Sequence, residues 1–308
     1  MMAFVSCISL ATMTKVTPPA ASVLCLGNFD GVHLAHRELL NSAKKLRSRL
    51  SADTACGVFC FSASPADYLS ATPPPQLCTF EQKLELFYEC GMEYAFVADF
   101  PSVKDLSPDE FIQTVLKEQC NCVGAVCGFN FRFGRKGAGS SELLQRSLYA
   151  PVEIQEAILH EGEPISSTRI RKLLLEGDAN AAASLLGRPY SFTSPVIHGK
   201  HLGHKLGAPT INQQIPHKML IPAYGVYVTE CEIEGERFRA VTNVGVRPTV
   251  EKNAGVNCES YLLNFEGDLY EKNITIYFLE RIRPEKQFSS QEDLQAQIHR
   301  DIETARNY

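Results

Sequence analysis

The stretch Val23-Leu-Cys-Leu-Gly-Asn-Phe-Asp-Gly-Val-His-Leu-Ala-His36 decides how the first half of the chain is read. A short apolar strand ends at Gly27, an Asn-Phe-Asp-Gly turn follows, and a helix opens with His33 and His36. Their i, i+3 spacing places both imidazoles on one helix face. A helix's first turn offers free N–H groups and the positive end of the dipole, and both attract phosphate. Gly27 and Gly31 let the backbone approach a bulky anion with no side chain in the way. With Asn28, Phe29 and Asp30 they make a candidate nucleotide cradle, where two imidazoles would flank an α-phosphate under attack. A strand–Gly–turn–helix corner is also the ordinary βα junction of any α/β domain, and geometry alone leaves both readings open.

Outward from that stretch, strands and helices alternate to about Leu186. Strand-like runs at residues 23–26, 56–61, 94–97 and 123–127 are separated by amphipathic stretches at 37–50, 80–90 and 108–117. Short apolar strands between helices predict a parallel sheet covered on both faces, a Rossmann-like α/β domain binding ligands at the strands' carboxyl ends. After Gly187-Arg-Pro189 the rhythm changes. Runs at 225–231, 239–244, 259–265 and 274–279 are β-branched and aromatic, with turn residues between them. They predict a small antiparallel β-barrel. Ser289 and Glu292 make a capping box, and Leu294, Ile298 and Ile302 form the packing stripe of a C-terminal helix. The predicted domains are 1–186 and 187–308, with no internal repeat and no low-complexity tract.

A chain of 308 residues with 44% hydrophobic content holds two ordinary domains and their cores. Its formal net charge of −5 argues against a nucleic-acid-backbone binder, which would show a basic face. Small anionic substrates need only a local positive cluster. Eleven cysteines, odd in number and set mostly in apolar runs such as Cys25, Cys56, Cys60 and Cys127, read as buried reduced thiols of a cytoplasmic protein. Cys120-Asn-Cys122 lacks a second ligand pair at zinc spacing. No run approaches the roughly 20 apolar residues of a membrane span. Residues 1–13 are apolar but carry no Lys or Arg ahead of them, so they do not read as a secretory signal, and Met13 reads as the natural start. Nothing in the sequence speaks to oligomeric state.

Two further strings bear on the first site. In Ile165-Ser-Ser-Thr-Arg-Ile-Arg171, Ser166 or Ser167 can cap a helix starting at Thr168, which puts Arg169 in the first turn. Hydroxyls, N–H groups and a guanidinium there suit phosphate, although a helix cap with a solvated Arg reads equally well. Gly128-Phe-Asn-Phe-Arg-Phe-Gly134 is an aromatic loop that could also be core. Taken in order with the opening stretch, these strings resemble the motifs of the bacterial bifunctional riboflavin kinase/FAD synthetases.

The resemblance implies an adenylyltransferase in the first domain. Gly27, Asn28, Phe29, Asp30, Gly31, Ser167 and Thr168 would bind ATP. His33 and His36 would stabilise charge on the α-phosphate, Arg169 would neutralise the outgoing phosphates, and Asn130 and Arg132 would meet the flavin. The acceptor phosphate is already an anion, so no strong general base is required. The chain departs from the family pattern at Ala35, where the motif has Gly, and at Phe61-Ser-Ala-Ser-Pro65, which lacks the usual His. An extra methyl against ATP costs ~1–3 kcal/mol if nothing relaxes.

The second half carries Val196-Ile-His-Gly-Lys-His-Leu-Gly-His-Lys-Leu-Gly-Ala-Pro-Thr-Ile-Asn212, whose Gly199, Gly203 and Gly207 suit a loop folding over nucleotide phosphates. Glycine spacing alone is a weak signal. The ending Leu206-Gly-Ala-Pro-Thr-Ile-Asn212 is stronger, because it resembles a riboflavin kinase motif. That resemblance implies ATP at Gly199, Gly203, Lys205 and Gly207, with Thr210 and Asn212 supplying neutral oxygens to Mg²⁺ and the phosphates. His198, His201 and His204 read as loop histidines rather than zinc ligands, since no carboxylate or thiolate stands near them. Transfer to an alcohol requires loss of a proton, and a positioned carboxylate contributes roughly 10²–10⁴-fold by accepting it. Glu259 matches the family's base. Without the resemblance it reads as an exposed Glu at a strand start. Asn243-Val-Gly-Val-Arg-Pro-Thr249 matches a further family motif, which implies flavin contacts from Asn243, Arg247 and Thr249.

The implied chemistry is phosphorylation of riboflavin to FMN in the barrel, then joining of FMN to AMP in the α/β domain, releasing pyrophosphate. Substrates and products are ATP, riboflavin, FMN and FAD. The runner-up is a riboflavin kinase whose first domain is slow because of Ala35 and Ser64. A non-catalytic flavin-binding regulator is a third reading.

Overall fold

Every position of strand β2 (Ser22–Leu26) is buried, and alternation along it serves two cores at once. Val23 and Cys25 pack on one side of the sheet with Leu39, Leu40, Ala43 and Leu46 of helix α1 (Leu34–Arg47) and with Leu86 and Phe87. Leu24 and Leu26 face the other side, against Phe111, Ile112, Val115 and Leu116. Helices on both faces explain why the strand reads as a continuous apolar run. The computed structural model describes residues 5–10, 18–198, 210–246 and 256–308. Two units divide the chain, one from Met1–Pro74 with Phe80–Ser166, the other from Pro75–Thr79 with Ser167–Tyr308.

In the first unit the six-stranded sheet adds β1 (Ser6–Ser9), β3 (Ala55–Phe61), β4 (Tyr94–Ala98), β5 (Cys122–Gly128) and β8 (Val152–Gln155) to β2. Their order is β1-β4-β3-β2-β5-β8, and every pairing is parallel. The chain winds outward from β2 through β3 to β4, then returns to β5 on the opposite side. That reversal is the switch point at which open α/β sheets bind ligands, and Gly27 follows immediately on β2 there. Small hairpins, β6 (Arg132–Phe133) with β7 (Gly139–Ser140) and β9 (Leu159–His160) with β10 (Glu163–Pro164), decorate the same unit.

The sheet departs from the sequence reading at two places. β1 lies ahead of Met13 and pairs with β4, with Val5 and Ile8 buried, so a start at Met13 would omit a strand that the sheet uses. The helix expected over 108–117 begins as α-helix at Pro108–Glu110, under a Ser107/Glu110 capping box, and continues as π-helix over Phe111–Gln119. There Cys120 N donates to Val115 O, an i→i−5 bond. Phe111, Ile112, Val115 and Leu116 recur with a period wider than 3.6, and the wider turn keeps all four in the core.

In the second unit, α7 (Ser167–Glu176) and α8 (Ala179–Leu186) precede an antiparallel sheet. Its strands are β11 (Tyr190–Pro195), β12 (Thr210–Gln214), β13 (Gly225–Ile233), β14 (Glu236–Val246), β15 (Val256–Leu262) and β16 (Asn273–Arg283), in the order β11-β16-β13-β14-β15-β12. The two end strands curl toward each other. The side chain of Gln213 donates to Ser194 O at 2.7 Å and Ile274 O at 2.8 Å, and Ile197 N reaches Asn212 O at 2.8 Å. Barrel closure removes free edges. Inside, Tyr190, Phe192, Tyr227 and Phe278 share a core with a hydroxyl chain, Thr229–Thr242–Ser260, linked at 2.7 Å per step.

The C-terminal helix (Gln291–Asn307) starts one residue later than the sequence reading placed it: Ser290, not Ser289, accepts from Asp293 N at 3.1 Å. Ser289 instead donates to the Asp293 carboxylate, which satisfies both serines. Arg283 of β16 forks onto the buried Asp301 at 2.8–3.2 Å and holds the helix to the barrel. Pro75–Thr79 joins this unit through its backbone, with Gln76 N on Lys218 O at 2.7 Å and Leu220 N on Gln76 O at 2.8 Å. Among the described residues no helix is long and apolar enough to cross a membrane. All eleven cysteines are free thiols. Burial pushes Cys60 up to about 12 and Cys25 well above the usual thiol range, so both stay protonated and unreactive.

Candidate active site

The turn after β2 is held in backbone that side chains avoid. Phe29 has φ 53° and Val32 φ 40°, and Gly31 at φ 79° is the one residue of the three suited to it. A β-branched Val at positive φ costs on the order of 1–3 kcal/mol and persists only where its surroundings over-determine it. Here Phe29 and Val32 are fully buried, and Val32 N closes the turn on Phe29 O at 3.2 Å. The Phe29 ring stands edge-on to Phe87 and to His36, each at 5.3 Å. A Cβ on Gly27 would stand 3.2 Å from that ring, which limits this position to glycine unless the ring gives way.

His33 and His36 come together as the sequence spacing suggests, and their rings stack at 3.6 Å and 14°. His33 is the N-cap of α1, its Nδ1 accepting from His36 N at 3.4 Å. An accepting Nδ1 carries no proton, so the neutral ring is protonated on Nε2. The Nδ1 of His36 is buried without a hydrogen-bond partner among the described residues. A stranded lone pair costs less than a stranded N–H, so Nε2 holds that ring's proton too. Burial first, then the neighbouring His33 and Lys83, hold His36 well below the ordinary imidazole range, and the ring is neutral at pH 7. The pair therefore presents N–H donors at a helix start.

Lys83 was missed in the sequence. It is 9% exposed, and its ammonium donates to Asn28 O at 3.0 Å, holding the turn from the α3 (Phe80–Glu89) side. The signal was present: Phe80, Lys83 and Phe87 share one helix face, so a lysine stood on an apolar stripe. Asp30 is buried beside the turn. Asn130 and Arg132 are exposed on the loop after β5, where Phe133 is core and Phe129 stays exposed. Helix α7 begins at Ser167, which leaves Ser166 at the flanking position and puts Thr168 and half-buried Arg169 in the first turn. Ser167, Thr168 and Arg169 belong to the second unit, and Ser166 ends the first.

The second constellation is set by strand register. Asn212 of β12 lies opposite Glu259 of β15, and Glu259 lies opposite Asn243 of β14. Directly paired residues point to the same face, so these three form one row across adjacent strands. Thr210 stands two residues before Asn212 on that face, opposite Tyr261. Asn257, two residues before Glu259 and 4% exposed, donates its amide to Asn212 Oδ1 at 2.9 Å and to Glu259 Oε1 at 3.2 Å. Sequence reasoning passed over Asn257, although period-two alternation places it on the Glu259 face. Asn243 Nδ2 meets Glu285 Oε1 at 3.4 Å. Gly199, Gly203, Lys205, Gly207, Arg247 and Thr249, with His201 and His204, lie outside the described residues.

Comparison with known proteins settles the family. A family model described as FAD synthetase matches residues 16–169, and one described as riboflavin kinase matches residues 186–308. The chain is 32% identical over 288 residues to the bifunctional riboflavin kinase/FMN adenylyltransferase of Pseudomonas fluorescens, covering 92% of each. It belongs to the bifunctional riboflavin kinase/FMN adenylyltransferase family. Relatives of the same description from Escherichia coli K12 (33% identity, 94% of each chain) and Bacillus subtilis 168 (32%, 94% of this chain and 93% of the other) agree. A solved structure described as a macrolide-efflux protein from Streptococcus pneumoniae has the same fold, with TM-score 0.89 and 29% identity, covering 99% of this chain and 100% of that one. In this chain the FAD synthetase match stops inside the first turn of α7. The kinase match opens at the last residue of α8.

Proposed function

We infer that the chain runs two successive ATP-dependent transfers, riboflavin to FMN and FMN to FAD, and we assign their machinery to named residues. The observation that carries the assignment is the row Asn212–Glu259–Asn243 fixed by strand register. Glu259 accepts the proton of the ribityl hydroxyl as that oxygen attacks the γ-phosphorus of ATP, the bond from that phosphorus to the β,γ-bridging oxygen breaks and ADP leaves. Asn243, next in the row, faces the flavin, as do Arg247 and Thr249 by the family motif. Gly199, Gly203, Lys205 and Gly207 are assigned to the ATP phosphates by that resemblance.

Thr210 and Asn212 offer neutral hard oxygens. The Asn257 amide donates to Asn212 Oδ1, and an amide oxygen is a ligand type that suits Mg²⁺. Bound there, the cation would offset charge on the ATP phosphates. No cluster of three His, Cys, Asp or Glu residues forms a metal cage among the described residues.

For the second transfer, an FMN phosphate oxygen attacks the α-phosphorus of ATP and pyrophosphate departs. The developing charge meets Nε2–H groups of His33 and of the neutral His36 and the N–H groups of the first turn of α1. Gly27 to Gly31 shape the backbone around the phosphates, with Lys83 fixing Asn28. Arg169, Ser167 and Thr168 are assigned to the outgoing phosphates, and Asn130 and Arg132 to the flavin. We place the functional division at 186/187, which the start of the riboflavin kinase match supports. Free cysteines and the nature of the substrates favour a cytoplasmic site of action.

Feeding purified protein riboflavin and Mg-ATP, then separating the products, tests both assignments. FAD is expected. FMN alone would reduce the chain to a kinase, and unchanged riboflavin would make it a binder. Glu259→Gln should abolish FMN formation and leave FMN-to-FAD conversion intact; loss of both would contradict separate sites.

A further inference from the structure

We propose that Asn257 is a positioning residue of the kinase reaction, one amide group that sets both the base and the nucleotide-side oxygen. The proposal rests on the assignment of Glu259 and Asn212 given above.

Asn257 is buried on β15, on the same face as Glu259, and its single NH₂ group is shared between Asn212 Oδ1 and Glu259 Oε1. Both partners are acceptors. Flipping the Asn257 amide would set its own oxygen against two other oxygens, so the orientation is dictated by the neighbours. The consequence appears on the far side of the group. Asn257 Oδ1 is buried with no hydrogen-bond partner among the described residues.

The bridge does two things. It turns the Asn212 amide so that its oxygen, not its nitrogen, faces the Asn257 donor. It also tethers one carboxylate oxygen of Glu259, Oε1, and so restrains the carboxylate assigned as the base. Glu259 is half-buried and carries rotatable bonds that a second contact restrains. A base and a nucleotide ligand fixed by the same two N–H bonds keep a constant separation, which in-line transfer requires. Outer groups of this kind typically change activity 10–100-fold when removed.

The test uses the full chain. Asn257→Leu keeps the volume and removes the donor. FMN formation should show kcat lowered at least ~10-fold and KM for Mg-ATP raised several-fold, with FMN-to-FAD conversion and melting temperature reporting an intact fold. Asn257→Asp keeps the shape and replaces the donor with a carboxylate facing two oxygens; it should be worse than N257L. A crystal structure of N257L should show the Asn212 amide and Glu259 carboxylate turned from their shared contact. Wild-type kcat and KM in N257L, or near-full activity in N257D alongside a damaged N257L, would overturn the proposal. Glu259→Gln separates the two levels. If E259Q still makes FMN, the base assignment itself fails. If E259Q is dead and N257L is normal, only the role of Asn257 falls.

Discussion

His36 links protonation to folding. Its folded-state pKa lies well below the ordinary value near 6.5, chiefly through burial. Between those two values the unfolded chain binds a proton that the folded chain refuses. Its contribution to stability is therefore complete above about pH 7 and declines as pH falls through ~6.5, by at most about 1.4 kcal/mol per unit. Urea midpoints at pH 7.5 and 5.5 should fall further apart for the wild type than for His36→Gln; equal shifts would show that the ring titrates normally. Ala35, in the first turn of α1, makes a second case. If its methyl crowds the nucleotide, Ala35→Gly should raise kcat/KM for FAD formation about 5-fold or more, against a helix cost of up to ~1 kcal/mol. An unchanged rate would mean that the turn already accommodates it. At this scale the sequence was informative where a motif was contiguous, as from Gly27 to His36. It was silent where a partner came from another helix or from two residues along a strand. Lys83 and Asn257 act through tertiary neighbours, and no local pattern names those neighbours.

Elements were legible in proportion to their periodicity. The strand containing Val23 and the barrel strands announce themselves by apolar or alternating runs. Strand β1 is four residues with no repeat to detect, and it becomes a strand because β4 offers an unpaired edge. The π-helical segment was expected as ordinary helix, since its spacing differs from 3.6 by less than one residue per turn. The C-terminal helix was read correctly in kind and displaced by one residue at its cap, because two adjacent serines compete for the role. What fixes that helix is the Arg283–Asp301 fork. Asp301 is 3% exposed, so Asp301→Ala strands a guanidinium and should cost about 3–5 kcal/mol. The double variant Arg283→Met/Asp301→Leu should recover most of that loss in thermal denaturation. A double variant as unstable as the single one would show that the pair specifies the docking geometry rather than merely avoiding an unpaired charge.

At the scale of the molecule, the second unit is not one continuous piece of chain. It takes in Pro75–Thr79 as well as α7 and α8, of which α7 packs on α8 and α8 on β11 and β16. A Pro-rich stretch such as Thr72-Pro-Pro-Pro-Gln76 reads as a loop in the sequence, and its backbone pairing with Lys218 and Leu220 is invisible there. A fragment of residues 187–308 would lose the cover of Leu174, Ala182, Leu185 and Leu186, all buried here. It should melt at lower temperature than a fragment of residues 167–308; equal melting temperatures would mean that the helices add nothing to the barrel.

The borrowed segment also has a history in time. During synthesis Leu77 and Cys78 leave the ribosome well before the stretch around Leu220 exists to receive them. At ~5–20 residues per second that interval is between about 7 and about 30 s. For that long a newborn chain displays an apolar peptide whose berth has not yet been made, a natural foothold for chaperones or for a wrong neighbour.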